Sequence, residues 1–383
     1  MTHTAARPLK HLLQITRDSW DQEATRPSVR DAFARVLACG TPSLGAEVFA
    51  SESAERVVFH SCKSRACPSC GHRATIAWQR DLWRELPDVP YAHVCLTMPD
   101  VLWPLFRRNR HLLHDLPVLG AQVLQQWAQQ EYGIRQLMVV ITHTFGRHLN
   151  FNCHLHILVS QGGLADNGTR WRRHAGLNRT AVMRMWRYAV ITYLRNAARG
   201  GLLDADLSPR ALHILLTSQY ERSWIIDVKR FQSKTHVLAY AGRYARRPPI
   251  AQHRFREATR QNVRFLTKDT RTKRLVETAY STPEFLTTLA DHIPDRYRHN
   301  IRYFGLLAPR VKGKFHDVVF TLLGQPRLGK PRRLGWAVSL QKSFGVDPLV
   351  DRTGQRMRWV RRLPPTPLHQ GPAIPSIDRE RGG

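Results

Sequence analysis

LMVVITHTFGRHLNFNCHLHILVS, residues 137–160, decides the fold. Two runs rich in β-branched and aromatic side chains, LMVVITHTF and FNCHLHILVS, flank a turn around Gly146, which predicts an antiparallel hairpin. Side chains alternate across a strand, so His154 and His156 project from one face while Leu155 goes to the other. Two imidazoles so placed can grip one divalent ion and leave coordination positions open for a phosphate. The plainer reading is a pair of solvated or hydrogen-bonded strand histidines. Against it, the pair lies in an apolar strand, where each ring needs a partner to offset its desolvation. His143 on the preceding run is close enough across the hairpin to serve as a third ligand, with His148 in the turn as its competitor.

Outward from the hairpin, the pattern alternates between strand and helix. Upstream, HRATIAWQRDLWREL repeats its apolar residues at helical spacing, YAHVCLTMP reads as a strand ending at Pro99, and about 102–127 reads as one long helix. Downstream, residues 180–198 read as helix and SWIIDVKRF as strand, and THVLAYAGRYARR reads as helix until Pro248 and Pro249 stop it. NVRFLTKD and RLVETAYS follow as strands around the turn TRTK. The expected organisation is a Cys-rich head (1–90), a catalytic body (91–280), an α/β extension (281–362) and a disordered Pro/Gly-rich tail (363–383).

With 383 residues, 42% of them hydrophobic, the chain can bury two or three cores, which excludes disordered, collagenous and coiled-coil classes. Lys+Arg 59 against Asp+Glu 29 gives a formal net charge of +30, which points to a polyanionic partner, nucleic acid first. Residues 171–280 hold 23 basic and 7 acidic side chains, so phosphate contacts are expected there. Their few carboxylates are not paired, which argues against an acidic-triad nuclease. No apolar run has a membrane-spanning length, and MTHTAARPLK lacks the apolar core of a secretory signal, so a cytoplasmic, nucleoid-associated protein with no membrane partner is expected.

Tyr240 and Tyr244 lie one helical turn apart, so both hydroxyls could serve one site. Attack by a tyrosine on a phosphodiester conserves the bond as a phosphotyrosine link. Two amphipathic core tyrosines are the bland alternative. Arg243, Arg246 and Arg247 argue for the active reading, since cations there would stabilise both a DNA phosphate and a developing phenolate. Cys62, Cys67 and Cys70 have zinc-like spacing, with Cys39 upstream as the natural fourth ligand and His60 or His72 as substitutes for it. Lys63, Arg65 and Arg73 around them suit a DNA-recognition module. Cys95 and Cys153 sit in apolar runs and read as core.

These motifs together resemble the rolling-circle transposases of the insertion sequence family ninety-one, two-tyrosine members of the HUH (His-hydrophobic-His) nucleases. The similarity runs through SCKSRACPSCGHRAT, LTMPDVLWPLF, HTFGRHLNFNCHLHILVSQGGL, AYAGRYARRPPIA and IRYFGLL, covering most of residues 35–350. It implies an α+β fold, an antiparallel HUH palm with flanking helices preceded by a small zinc-binding domain. It also implies His154 and His156 as ligands of a catalytic Mg2+ or Mn2+, Tyr240 and Tyr244 as nucleophiles, and structural Zn2+ in the head. The implied activity is nicking and joining of single-stranded DNA at element ends and target through a 5′-phosphotyrosine. Relatives usually carry two further Cys-x2-Cys pairs, where this chain has FASES at 49–53 and DPLVDRTGQRM at 347–357. A replication initiator or relaxase would use the same chemistry, and a non-catalytic zinc-bearing DNA-binding protein needs only the charge and the cysteines. No G-x-x-x-x-G-K phosphate loop occurs, so unwinding would fall to a host helicase.

Overall fold

The computed structural model describes residues 7–173, 175–269, 272–329, 334–345 and 347–366. They form two compact units, one drawn from 7–74, 250–286 and 334–366 and the other from 75–249 and 287–329. The linear boundaries expected at 90, 280 and 362 are not where these units divide, because the strand Arg358–Leu363 returns to pair with Ala46–Ala50. Most of the expected tail lies outside the described residues.

The larger unit is organised on a five-stranded antiparallel sheet, ordered Ile301–Gly305, Leu137–Phe145, Phe151–Ser160, Tyr91–Leu96, Ile226–Phe231. The hairpin is formed as expected, with His143 opposite His154 and Ile141 opposite His156. Pleating sorts the side chains into two layers. Val94, Leu96, Val140, Leu155 and Ile157 face one apolar core with the helices Trp103–Arg108, Leu116–Tyr132, Arg179–Arg199 and Pro209–Ser218. Tyr91, Val139, Ile141 and Leu158 face a second core with Pro68–Glu85, Lys234–Ala241 and Pro309–Leu322. Leu155 and Ile157 are fully buried, each contributing roughly 1.5–3 kcal/mol by leaving water. Gly120 makes this approach possible, since a Cβ there would collide with Leu155 Cδ1.

Two expected helices end early. The run expected over 102–127 breaks at buried Asn109, whose amide donates to the carbonyls of Leu105 (2.9 Å) and Asp204 (2.6 Å). A new helix then starts at Leu116, with Pro117 in its first turn. The tyrosine helix stops at Ala241 and continues as turns, well before the prolines.

In the smaller unit, the strands Arg358–Leu363, Ala46–Ala50 and Glu55–Phe59 form one antiparallel sheet. A second sheet joins Phe255–Ala258, Asn262–Lys268 and Leu275–Ser281, the last two as expected from their alternation. The segments FASES and DPLVDRTGQRM meet at Asp351. Its Oδ2 accepts from Ser51 Oγ (2.5 Å) and Ser53 Oγ (2.8 Å), and its Oδ1 accepts from Thr353 Oγ1 (2.8 Å) and the amides of Thr353 and Gln355 (both 2.9 Å). The Ser51 hydroxyl first, with Thr353 and Ser53 adding to it, holds this carboxyl well below the usual carboxylate range. A depressed carboxyl stabilises the fold above its unfolded pKa, about 3.9, and loses that contribution as pH falls through its lower folded value. Asp351→Asn should therefore speed amide exchange in the returning strand Arg358–Leu363 at neutral pH. The gap to wild type should persist to about pH 4 and close only in stronger acid; equal exchange at pH 7 would refute this role.

Candidate active site and candidate zinc centre

The histidine strand presents His154 and His156 to the face that also carries the Tyr91–Leu96 strand's odd-numbered residues. His154 Nδ1 donates to the Asn152 carbonyl (2.8 Å), and His156 Nδ1 lies 3.0 Å from His93 Nε2. The carbonyl contact places the His154 proton on Nδ1, so His154 Nε2 turns a lone pair toward His156 Nε2, 3.1 Å away. Burial depresses the pKa of both rings, which favours their neutral, metal-binding form. Two neutral imidazoles whose Nε2 atoms face each other form a donor set that fits a divalent metal ion.

His93 is the residue that sequence reading missed. It is 1% exposed, burial pushes its pKa down to about 4, and its ring lies 4.9 Å from that of Tyr240 and 5.3 Å from that of Tyr244. The signal available was the alternation in YAHVCL, which sets His93 and Cys95 on one face. Cys95, read as core, also reaches the histidine pair. Its Sγ lies within 4.8 Å of ligand atoms of His154 and His156, and it is only half-buried, whereas Cys153 is fully buried among apolar side chains. Burial raises the Cys95 thiol to about 12. His143 lies opposite His154, its ring 4.8 Å from that of His156. Its Nε2 donates to the Tyr244 carbonyl (2.7 Å), so any share it takes in binding an ion has to come from Nδ1.

Tyr240 closes the helix Lys234–Ala241, whose first turn is capped by Ser233 accepting from the His236 amide. Tyr244 sits in the turn beyond it. The two hydroxyls are 3.1 Å apart, Tyr244 donating to Tyr240, and the Tyr244 ring stacks on His156 at 3.8 Å. Burial, then the hydrogen bond with Tyr240, raises the Tyr244 phenol. Tyr240 lies between two cations, Lys229 Nζ at 5.0 Å and the Arg243 guanidinium at 4.9 Å from its ring centre. Arg246 is exposed in a left-handed conformation (φ 44°), and Arg247 Nε donates to the Gly242 carbonyl (3.0 Å).

What fixes this segment is a set of side chains gripping its backbone. From the helix Pro68–Glu85, Gln79 donates to the Leu238 carbonyl (2.7 Å), Thr75 to the Ala245 carbonyl (2.8 Å) and Trp83 to Thr235 Oγ1 (3.0 Å). Gly242 leaves room for the Gln79 amide, since a Cβ there would overlap it and displace that side chain.

In the smaller unit Cys39, Cys62, Cys67 and Cys70 are buried together, with Sγ–Sγ distances of 3.7 Å (Cys39–Cys70), 3.6 Å (Cys62–Cys70) and 3.7 Å (Cys39–Cys67). Four Zn–S bonds of about 2.3 Å in a tetrahedron set sulfur–sulfur edges of roughly 3.8 Å, so the cluster fits zinc. The Cys62 amide lies 3.4 Å from Cys39 Sγ, and hydrogen bonds from the other cysteine side chains, Cys62 first, hold the Cys39 thiol far below the ordinary range. His60 is engaged instead by the Leu44 carbonyl (2.9 Å) and Glu47 (3.3 Å).

Residues 138–314 match the family described as "Putative transposase" (Y2_Tnp), and residues 11–98 match "Transposase zinc-binding domain" (Zn_Tnp_IS91). The chain is 33% identical over 360 residues to "Transposase for insertion sequence element IS801" of Pseudomonas savastanoi pv. phaseolicola, covering 89% of this chain and 86% of the relative. It is 30% identical over 310 residues to "Putative transposase y4qJ" of Sinorhizobium fredii (strain NBRC 101917 / NGR234), covering 76% of this chain and 78% of the relative. No solved structure matches. Fold, cysteine cluster and family models define a DNA transposase with a zinc-binding domain. More particularly, the chain belongs to the insertion-sequence transposase family of the IS801 protein. Among the described residues, no helix is long and apolar enough to cross a membrane. Elemental analysis of purified protein should find about one zinc per chain, lost in Cys67→Ser together with part of the thermal stability; a zinc-free, equally stable wild type would exclude the assignment.

Proposed function

We propose that this transposase nicks and joins single-stranded DNA at the ends of its element through a 5′-phosphotyrosine. The observation that carries the reading is the juxtaposition of two tyrosine hydroxyls 3.1 Å apart with a histidine pair, the Tyr244 ring lying 3.8 Å from that of His156. A tyrosine oxygen attacks the scissile phosphorus, the P–O3′ bond breaks, and the leaving oxygen takes up a proton to become a free 3′-hydroxyl. The reverse attack by a 3′-hydroxyl on the phosphotyrosine rejoins DNA and returns the phenol, so each transfer is nearly isoenergetic. With two tyrosines, one can hold the first strand while the other accepts the second.

His154 and His156 are the residues that would hold Mg2+ or Mn2+ through Nε2. That ion, when bound, supplies charge neutralisation at the scissile phosphate. His93 Nε2, 3.0 Å from His156 Nδ1, positions that ring; by accepting the Nδ1 proton when an ion binds it would leave His156 Nε2 free for the ion. His143 positions Tyr244 through its carbonyl. Arg243, with Lys229, Arg246 and Arg247, offers positive charge to the strand beside Tyr240. The zinc-bearing head contributes recognition of terminal DNA, target DNA follows as the second substrate, and duplex opening falls to a host helicase.

Two experiments test this. A labelled single-stranded oligonucleotide from an element end should give a protein–DNA adduct on a denaturing gel that requires Mg2+ or Mn2+. It should vanish in the Tyr240→Phe, Tyr244→Phe double variant, and an adduct surviving that change would exclude both nucleophiles. In Gly242→Ala, displacement of Gln79 should shift the tyrosine segment and lower the adduct rate about a hundredfold while the melting temperature moves little. An unchanged rate would show that the Gln79 grip does not set the geometry.

A further inference from the structure

The smaller unit holds a groove of about 780 Å³ beside the cysteine cluster, within the range of small-molecule sites. Arg35, Lys63, Arg73, Trp336 and Glu47 are among its walls. Glu47 contributes little free negative charge to it, because its carboxylate already accepts from Trp359 Nε1 and Arg362 Nε, both at 2.8 Å, and from His60. The three cations have no ion-pair partner among the described residues. Arg73 Nε is moreover buried without a hydrogen-bond partner, although a desolvated guanidinium N–H is costly to leave unmet. Trp336 is half-buried, its ring 5.3 Å from that of Phe49, so one wall of a basic groove is aromatic.

We propose that this groove binds one or two unstacked nucleotides of single-stranded DNA, a base lying against Trp336 and its phosphates meeting Lys63, Arg73 and Arg35. Aromatic platforms lined with cations are the usual means of holding single strands, since every base has a π-face and every nucleotide a charge. Duplex reading instead needs a helix or ribbon projecting into the major groove, and a concave site offers neither. The inference deepens the strand-nicking reading and rests on it for the choice of a single strand.

Fluorescence anisotropy with a labelled single-stranded oligonucleotide from an element end, its duplex and a scrambled strand, without divalent ion, tests it. Trp336→Leu should weaken single-strand binding about tenfold, with recovery in Trp336→Phe. Arg35→Ala should weaken it and lower the salt slope by about one, with recovery of the slope in Arg35→Lys. Each variant is checked for zinc content and melting temperature, so a misfolded protein is not scored. Unchanged single-strand affinity in both Trp336→Leu and Arg35→Ala, or tighter binding of the duplex lost in the same variants, would overturn the groove assignment. The measurement needs no cleavage, so failure of nicking would leave it standing.

Discussion

Everything at the candidate active site depends on the pleat of one strand. Because Leu155 and Ile157 are locked into an apolar core on one side, His154 and His156 have no freedom to leave the other, and a one-residue register slip would exchange the two sets. The apolar residues thus do chemical service by fixing where the imidazoles point. Contacts at Nδ1 then hold both rings, and the two Nε2 atoms converge without any loop having to close.

The tyrosines are held by a different principle. Helical spacing alone would have aligned them, yet the helix ends at Ala241 and Tyr244 lies beyond it. Its placement comes from Thr75, Gln79 and His143, each donating to a backbone carbonyl of the segment 238–245. Carbonyl grips of this kind set the position of a side chain through its backbone and leave the hydroxyl itself available. They explain how two phenols can share one site beside a buried histidine pair.

The fold was legible in sequence wherever one period dominated. The hairpin, the strand ending at Leu96 and the helix Arg179–Arg199 follow from alternation or helical repeat. The break at Asn109 was not, because it turns on an amide bonding to Asp204, a residue far along the chain. The pairs His154/His156 and Tyr240/Tyr244 and the trio Cys62, Cys67 and Cys70 stand out by spacing, though spacing alone does not assign their roles. His93 could not be separated from the many other histidines until His156 Nδ1 supplied the reason for it. The same holds for Ser51, Ser53 and Asp351. Hydroxyl-to-carboxylate bonds join the segments 49–53 and 347–357, a long-range contact that no local pattern announces.

The proposed chemistry requires the histidine pair to be a metal site separate from the cysteine cluster. Mn2+ binding followed by electron paramagnetic resonance, on protein with its zinc complement verified, addresses this directly. Wild type and the Tyr240→Phe, Tyr244→Phe variant should each bind about one Mn2+ per chain, and His154→Ala, His156→Ala should bind none while keeping its zinc. Undiminished Mn2+ binding in the histidine variant would contradict the account.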